Sequence, residues 1–185
     1  ETRDENLLKL GPGWCRKDGH IIGIAVAAGD SSWYFPIAHT VGNMPKRPVM
    51  NWLKDLCSDT TKTFVFHNAL YDLGWLRAEG VEVKGQIRDT MIAAPILDEN
   101  RRYYNLNSVA GDYLKIYKDE KMLKGAADEF GVDPKSGMWR LPPRYVGAYA
   151  EQDANITLKL WNILQDRIKS EECTSIFNLE TQLTP

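Results

Sequence analysis

The chain is predicted to be an α/β domain, a mixed sheet with helices on both faces. Short runs rich in β-branched and aromatic residues alternate along it with longer stretches of helical period. The run 62–67, Lys-Thr-Phe-Val-Phe-His, lacks polar alternation, as a strand covered on both faces requires. Its 185 residues, 43% apolar and 26% charged, suit one domain with a sizeable core. No repeat or low-complexity tract divides it.

The elements follow in order. Residues 4–19 read as a polar loop broken at Gly11-Pro12-Gly13. Residues 20–28 and 33–38 read as strands joined by Gly-Asp-Ser-Ser, a hairpin. A helix is expected over 48–57, then the strand 62–68. Asn68 caps a helix over 69–79, which Gly80 stops. A strand near 86–90 runs into a helix through the nineties, with Asp89 placed as its cap. Asn105-Leu-Asn-Ser opens a helix over 108–115, with Asn or Ser as cap. The stretch 116–145 holds a short helix at 121–130 and a Gly- and Pro-bearing loop. A long amphipathic helix over 144–171 and a short terminal element close the chain.

Composition narrows the function classes. A net charge of −2 gives no global basic footprint, so any nucleic-acid contact is local. Cys15, Cys57 and Cys173 are widely spaced and odd in number; they form neither a disulfide framework nor a metal knuckle and point to a reducing compartment. His20, His39 and His67 lack zinc-ligand spacing and read as surface or packed residues. No apolar run approaches the ~18 residues that a membrane span needs.

Three places carry candidate chemistry. Tyr149 and Asp153 stand one helical turn apart, so the phenol and the carboxylate share a helical face. Asp153 falls in the phase of Val146, Ala150, Thr157, Trp161, Leu164 and Ile168 and interrupts a packed stripe. A carboxylate there needs a partner, and a metal ion is one; the alternative is an exposed Asp at the stripe's edge held by an Arg. Asp72 lies in the first turns of the helix after the 62–68 strand, at the carboxyl end of a buried strand where α/β sheets bind ligands. The alternative there is a dipole-favoured Asp without function. Glu1-Thr2 is the third piece.

Glu1-Thr2, Asn68-x-x-Tyr71-Asp72 and Tyr149-x-x-x-Asp153, in this order, resemble the motifs of DEDD-class 3′–5′ exonucleases of the Tyr subtype. In particular the chain resembles the proofreading domains of family A DNA polymerases, bacterial or phage-like. Arg88-Asp89-Thr90-Met91 resembles the passage between that family's second and third motifs. The close, from Phe177 to Pro185, resembles its approach to the polymerase module. The resemblance covers nearly the whole chain and implies a ribonuclease-H-like fold. It implies one exonuclease domain over 1–185, cut before Glu1 and followed by a polymerase module in cis. Glu1-Thr2 matches only the second half of the family's Asp-x-Glu motif; the Asp is expected two residues before Glu1, outside this sequence.

The same resemblance implies two divalent ions, Mg²⁺ or Mn²⁺, held by Glu1, Asp72 and Asp153 with the upstream Asp. Glu1 and Asp153 are assigned to the ion that activates water. Asp72 is assigned to the ion at the leaving oxygen, directly or through a water. Tyr149 orients the nucleophilic water, a phenol with a pKa near ~10 being a poor general base at neutral pH. Thr2, Asn68 and Tyr71 hold a single-stranded DNA 3′ end. For Tyr71 the alternative is a core aromatic on the 69–79 helix. The implied setting is the bacterial cytoplasm or a phage-infected host. Two other functions stay open: an RNA 3′-end exonuclease of the same superfamily, and a non-catalytic scaffold or DNA-binding platform. Lys115, Lys118, Lys121 and Lys124, with Arg140 and Arg144, are candidates to steer DNA, but Asp119, Glu120, Asp128 and Glu129 interleave with them as on a solvated face.

Overall fold

The computed structural model describes residues 1–183; Thr184 and Pro185, which end the segment expected to lead into a polymerase module, lie outside the described residues. The first part of the chain forms β1 (Thr2–Arg3), α1 (Leu7–Leu10), α2 (Gly13–Arg16), β2 (His20–Ile21), β3 (Gly23–Ala28), β4 (Ser31–Pro36) and α3 (Lys46–Ser58). Next come β5 (Thr63–Phe66), α4 (Ala69–Ala78), β6 (Gln86–Asp89), α5 (Thr90–Leu97) and α6 (Leu106–Leu114). The last part holds α7 (Lys121–Phe130), a 3₁₀ turn at Met138–Arg140, α8 (Pro143–Ser170) and α9 (Thr174–Gln182).

Strand β5 shows how the layers arise. Successive strand residues point to opposite faces. Phe64 packs against the core cluster that holds Leu53, Trp75 and Val81, whereas Val65 packs against the other cluster, which holds Ala93, Leu160 and Leu164. The unbroken apolar run 62–67 is therefore read correctly as a strand covered twice. Strands β5 and β6 pair in parallel, joined by the α4 crossover; β3 and β4 form an antiparallel hairpin in register from Gly23↔Pro36 to Ala28↔Ser31. Both pairing modes of a mixed sheet are present, as three two-stranded ladders. Helix α8 lies against β3, β4 and β5 and unites them.

Two expectations are corrected. The stretch 20–28 is two strands, because Ile22 is fully buried and donates its N–H to the Glu1 carbonyl at 2.9 Å instead of continuing one ladder. The stretch 4–19 is not a plain loop. The Asp4 carboxylate accepts from Gly13 N at 2.8 Å and pairs with Arg16 at 3.2 Å, and this anchor starts α2. The three cysteines are free. Among the described residues no helix is long and apolar enough to cross a membrane.

Candidate active site

Helix α8 presents the phenol and carboxylate. Val146, Ala150, Thr157, Trp161, Leu164 and Ile168 are its buried stripe, and Asp153 lies in their phase with 24% of its side chain exposed. It is neither at an open edge nor held by an arginine. Lys118 holds it: Nζ donates to Asp153 Oδ2 at 2.6 Å and to Tyr149 Oη at 2.7 Å, and lies 4.4 Å from the Tyr149 ring centroid. The other oxygen, Asp153 Oδ1, is buried with no partner. Loss of solvation pushes the Asp153 carboxyl above its usual range; the Lys118 charge opposes this and the Glu1 charge adds to it. Burial first, then the Asp153 and Glu1 charges, push the Tyr149 hydroxyl far upward, so this phenol stays protonated.

Glu1 is the common neighbour. Its backbone nitrogen donates to Gly23 O at 2.7 Å, and its carbonyl accepts from Ile22 N, fixing the residue beside β3. Its carboxylate charge acts on Asp72, Tyr149 and Asp153 alike. Asp72 keeps solvent-exposed surface on α4, yet loss of solvation by the surrounding protein raises its carboxyl from 3.8 to about 7, and the Glu1 and Asp89 charges add to the shift.

The substrate candidates lie beside these groups. Thr2 Oγ1 and Tyr71 Oη share a 2.7 Å hydrogen bond that joins β1 to α4. Tyr71 is half-buried and meets Trp75 edge-on, with ring centroids 6.4 Å apart. Asn68 is exposed at φ 75°, a left-handed conformation that Asn tolerates better than most residues.

The expected Asn68 cap is corrected, because its side chain caps nothing. Asp89, only 3% exposed, performs that role from another strand. Its oxygens accept from Asn68 N at 3.0 Å, Ala69 N at 2.7 Å and Met91 N at 2.8 Å, so one carboxylate starts both α4 and α5. The sequence placed Asp89 on its own helix only. Lys118 was one of several candidate lysines, and no local pattern marks its partner 35 residues away.

Among the described residues, no three His, Cys, Asp or Glu side chains converge closely enough to hold a metal ion by themselves. The donor chemistry nevertheless fits a hard divalent cation. Asp153 Oδ1 is an unpartnered buried acceptor, and Asp72 offers an exposed carboxylate on the first turn of α4.

Residues 14–169 match the family described as 3′-5′ exonuclease. The chain is 36% identical over 190 residues to a DNA-directed DNA polymerase of Pseudomonas phage M6, covering 100% of this chain and 29% of that protein. It is 30% identical over 143 residues to DNA polymerase I of Treponema pallidum (strain Nichols), covering 74% of this chain and 13% of that one. It thus spans less than a third of these relatives. A solved structure described as the apo form of a nuclease superposes with a TM-score of 0.71 at 16% identity, covering 100% of this chain and 79% of that chain. The POL domain of Pol1 from M. smegmatis, in complex with DNA primer-template and dNTP, gives 0.60 at 18% identity, covering 86% of this chain and 23% of that chain. These structural likenesses speak for the fold alone, and the ribonuclease-H-like α/β architecture stands.

Proposed function

The chain belongs to the 3′–5′ exonuclease domains of family A DNA polymerases, and on that premise we propose that it removes nucleotides hydrolytically from single-stranded or frayed DNA 3′ ends, as the proofreading domain of a longer polymerase. The observation that carries this reading is the buried, unpartnered Asp153 Oδ1 one turn from Tyr149 on α8, with Thr2 and Tyr71 joined by a hydrogen bond. Two divalent ions, Mg²⁺ or Mn²⁺, would supply water activation and neutralise the charge developing at phosphorus and at the leaving oxygen.

The chain's own residues then have distinct tasks. Asp153 and Glu1 would hold the ion that supplies the attacking water, and Asp72 would hold the ion that stabilises the leaving oxygen. Tyr149, held protonated, orients a water by hydrogen bonding and takes no proton from it. The Tyr71 ring and hydroxyl and the Thr2 hydroxyl present a stacking and hydrogen-bonding surface to the terminal nucleotide. Stacking is worth roughly 1–3 kcal/mol per base and ignores sequence, which suits removal of any misplaced nucleotide. The natural setting is the bacterial cytoplasm or a phage-infected host.

One observation favours the non-catalytic alternative: three acidic side chains do not converge among the described residues. The catalytic reading answers it with the Asp expected two residues before Glu1, which would complete the set. Within the polymerase that carries this chain, Asp153→Ala is expected to abolish Mg²⁺- or Mn²⁺-dependent digestion of a 5′-labelled single-stranded oligonucleotide. Undiminished digestion would remove Asp153 from the mechanism, and no digestion by the unsubstituted polymerase would leave the scaffold reading.

A further inference from the structure

Lys118 stands where a cation is wanted. A lysine on a solvated face ordinarily keeps its ammonium in water, free to swing. This one is only 12% exposed in its side chain, and two of its three N–H donors are taken by Asp153 Oδ2 and Tyr149 Oη. Its stem is not free either. Lys118 N donates to Asn107 Oδ1 on α6 at 2.9 Å, and Asp119 N donates to Gln152 Oε1 on α8 at 2.9 Å. Backbone clamps on both helices therefore deliver the ammonium to one place. The neighbouring Lys124 behaves differently, pairing with Glu120 one turn away on the surface.

The position is also chemically particular. Asp153 carries one oxygen engaged by the ammonium and one buried without a partner, so the carboxylate is half-satisfied. A buried carboxylate with no counter-charge is costly, and breaking such a pair leaves that cost unopposed. Resting on the reading of Asp153 as a metal ligand, we propose that Lys118 is a built-in counter-ion that holds Asp153 and Tyr149 in place before a divalent ion arrives and exchanges with that ion. Two cations in contact with one carboxylate repel each other, so ion binding at Asp153 weakens the Lys118 contact and releases the ammonium. Once released, it lies at the mouth of an acidic site that takes a phosphodiester, and the substrate phosphate is the anion left for it. Lys118 is thus a positioning residue for Asp153, and it sets the affinity of the ion by competition.

The experiment is lysine footprinting by mass spectrometry on the polymerase that carries this chain, using an amine-acylating reagent and comparing Lys118 with exposed Lys124. In chelator, Lys118 should be labelled several-fold more slowly than Lys124. Added Mn²⁺ should raise its rate towards that of Lys124, and Asp153→Asn should raise it without any metal. Slow labelling of Lys118 in Asp153→Asn would overturn the contact itself, whatever becomes of the metal reading. A released Lys118 in Asp153→Asn but an unchanged rate with Mn²⁺ would overturn the exchange. Mn²⁺ titration by calorimetry closes the test. Lys118→Met should bind Mn²⁺ several-fold more tightly than the unsubstituted chain, and Lys118→Arg should restore the weaker binding. Equal affinity in all three overturns the competition, and a Mn²⁺ affinity unchanged by Asp153→Asn overturns the metal reading with it.

Discussion

Replacing Asp89 tests the link between the fold and the site more sharply than replacing any site residue. This carboxylate, 3% exposed, accepts from Asn68 N, Ala69 N and Met91 N at 3.0, 2.7 and 2.8 Å. It therefore does the work of two helix caps, each worth about 0.5–2 kcal/mol. The bonds are charge-assisted, and Ala leaves the donors at the start of α4 without a partner. Asp89→Ala should therefore cost roughly 2–4 kcal/mol. In a domain of this size that lowers the melting midpoint by roughly 4–16 °C. Asp89→Asn keeps the shape and one acceptor and should fall between the two. Thermal and urea unfolding followed by circular dichroism give the total. Amide exchange gives the mechanism, since Asn68 and Ala69 should lose protection while the core of α8 keeps it. A loss of under about 1 kcal/mol for Asp89→Ala would refute the double cap. So would uniform deprotection of α8 along with α4.

Two further predictions concern the site. Tyr149→Phe, in the polymerase that carries the chain, should slow oligonucleotide digestion by roughly tenfold, well short of the ~10²–10⁴ of a proton-transfer group. A loss equal to that of Asp153→Ala would require Tyr149 to do more than orient water. The second concerns pH in chelating buffer. Asp72 has its folded carboxyl raised from 3.8 to about 7, so the folded state holds a proton that the unfolded chain releases. Its contribution to stability is complete below about pH 4 and is lost as pH rises to about 7. Asp72→Asn should flatten the melting midpoint across that window, and an unchanged slope would refute the assignment.

Much of the fold was legible because its signals are local. The 69–78 helix, the 121–130 helix and the long α8 declare themselves by period and by the breakers that flank them. Tyr149 and Asp153 were legible as a pair for the same reason, since a one-turn spacing on a stripe survives any tertiary arrangement. What could not be read is what crosses the chain. Asn68 looked like the cap of α4 because it precedes it, yet an Asp 21 residues downstream takes the backbone donors and leaves Asn68 in a left-handed turn. Ile22 looked like mid-strand until Glu1 claimed its N–H. Lys118 looked like one of four surface lysines, and only the clamps from Asn107 and Gln152 distinguish it.

The departures from local rules fall at the acidic residues and at Tyr149, and burial is the largest cause of each. Loss of solvation raises Asp72, Asp153 and Tyr149 alike, and the Glu1 charge adds to each shift. A fold selected for stability alone would disperse these charges or replace Asp153 with an apolar residue of the stripe, often at no loss. Here Asp153 is kept in the stripe, and its charge is offset by Lys118 at 2.6 Å. A half-satisfied Asp153 is the residue of that compromise. Its free oxygen is costly in the resting chain and favourable only when a cation stronger than an ammonium can use it. Strain of this kind, confined to one place in an otherwise locally consistent sequence, is what a site built to recruit such a cation would leave behind.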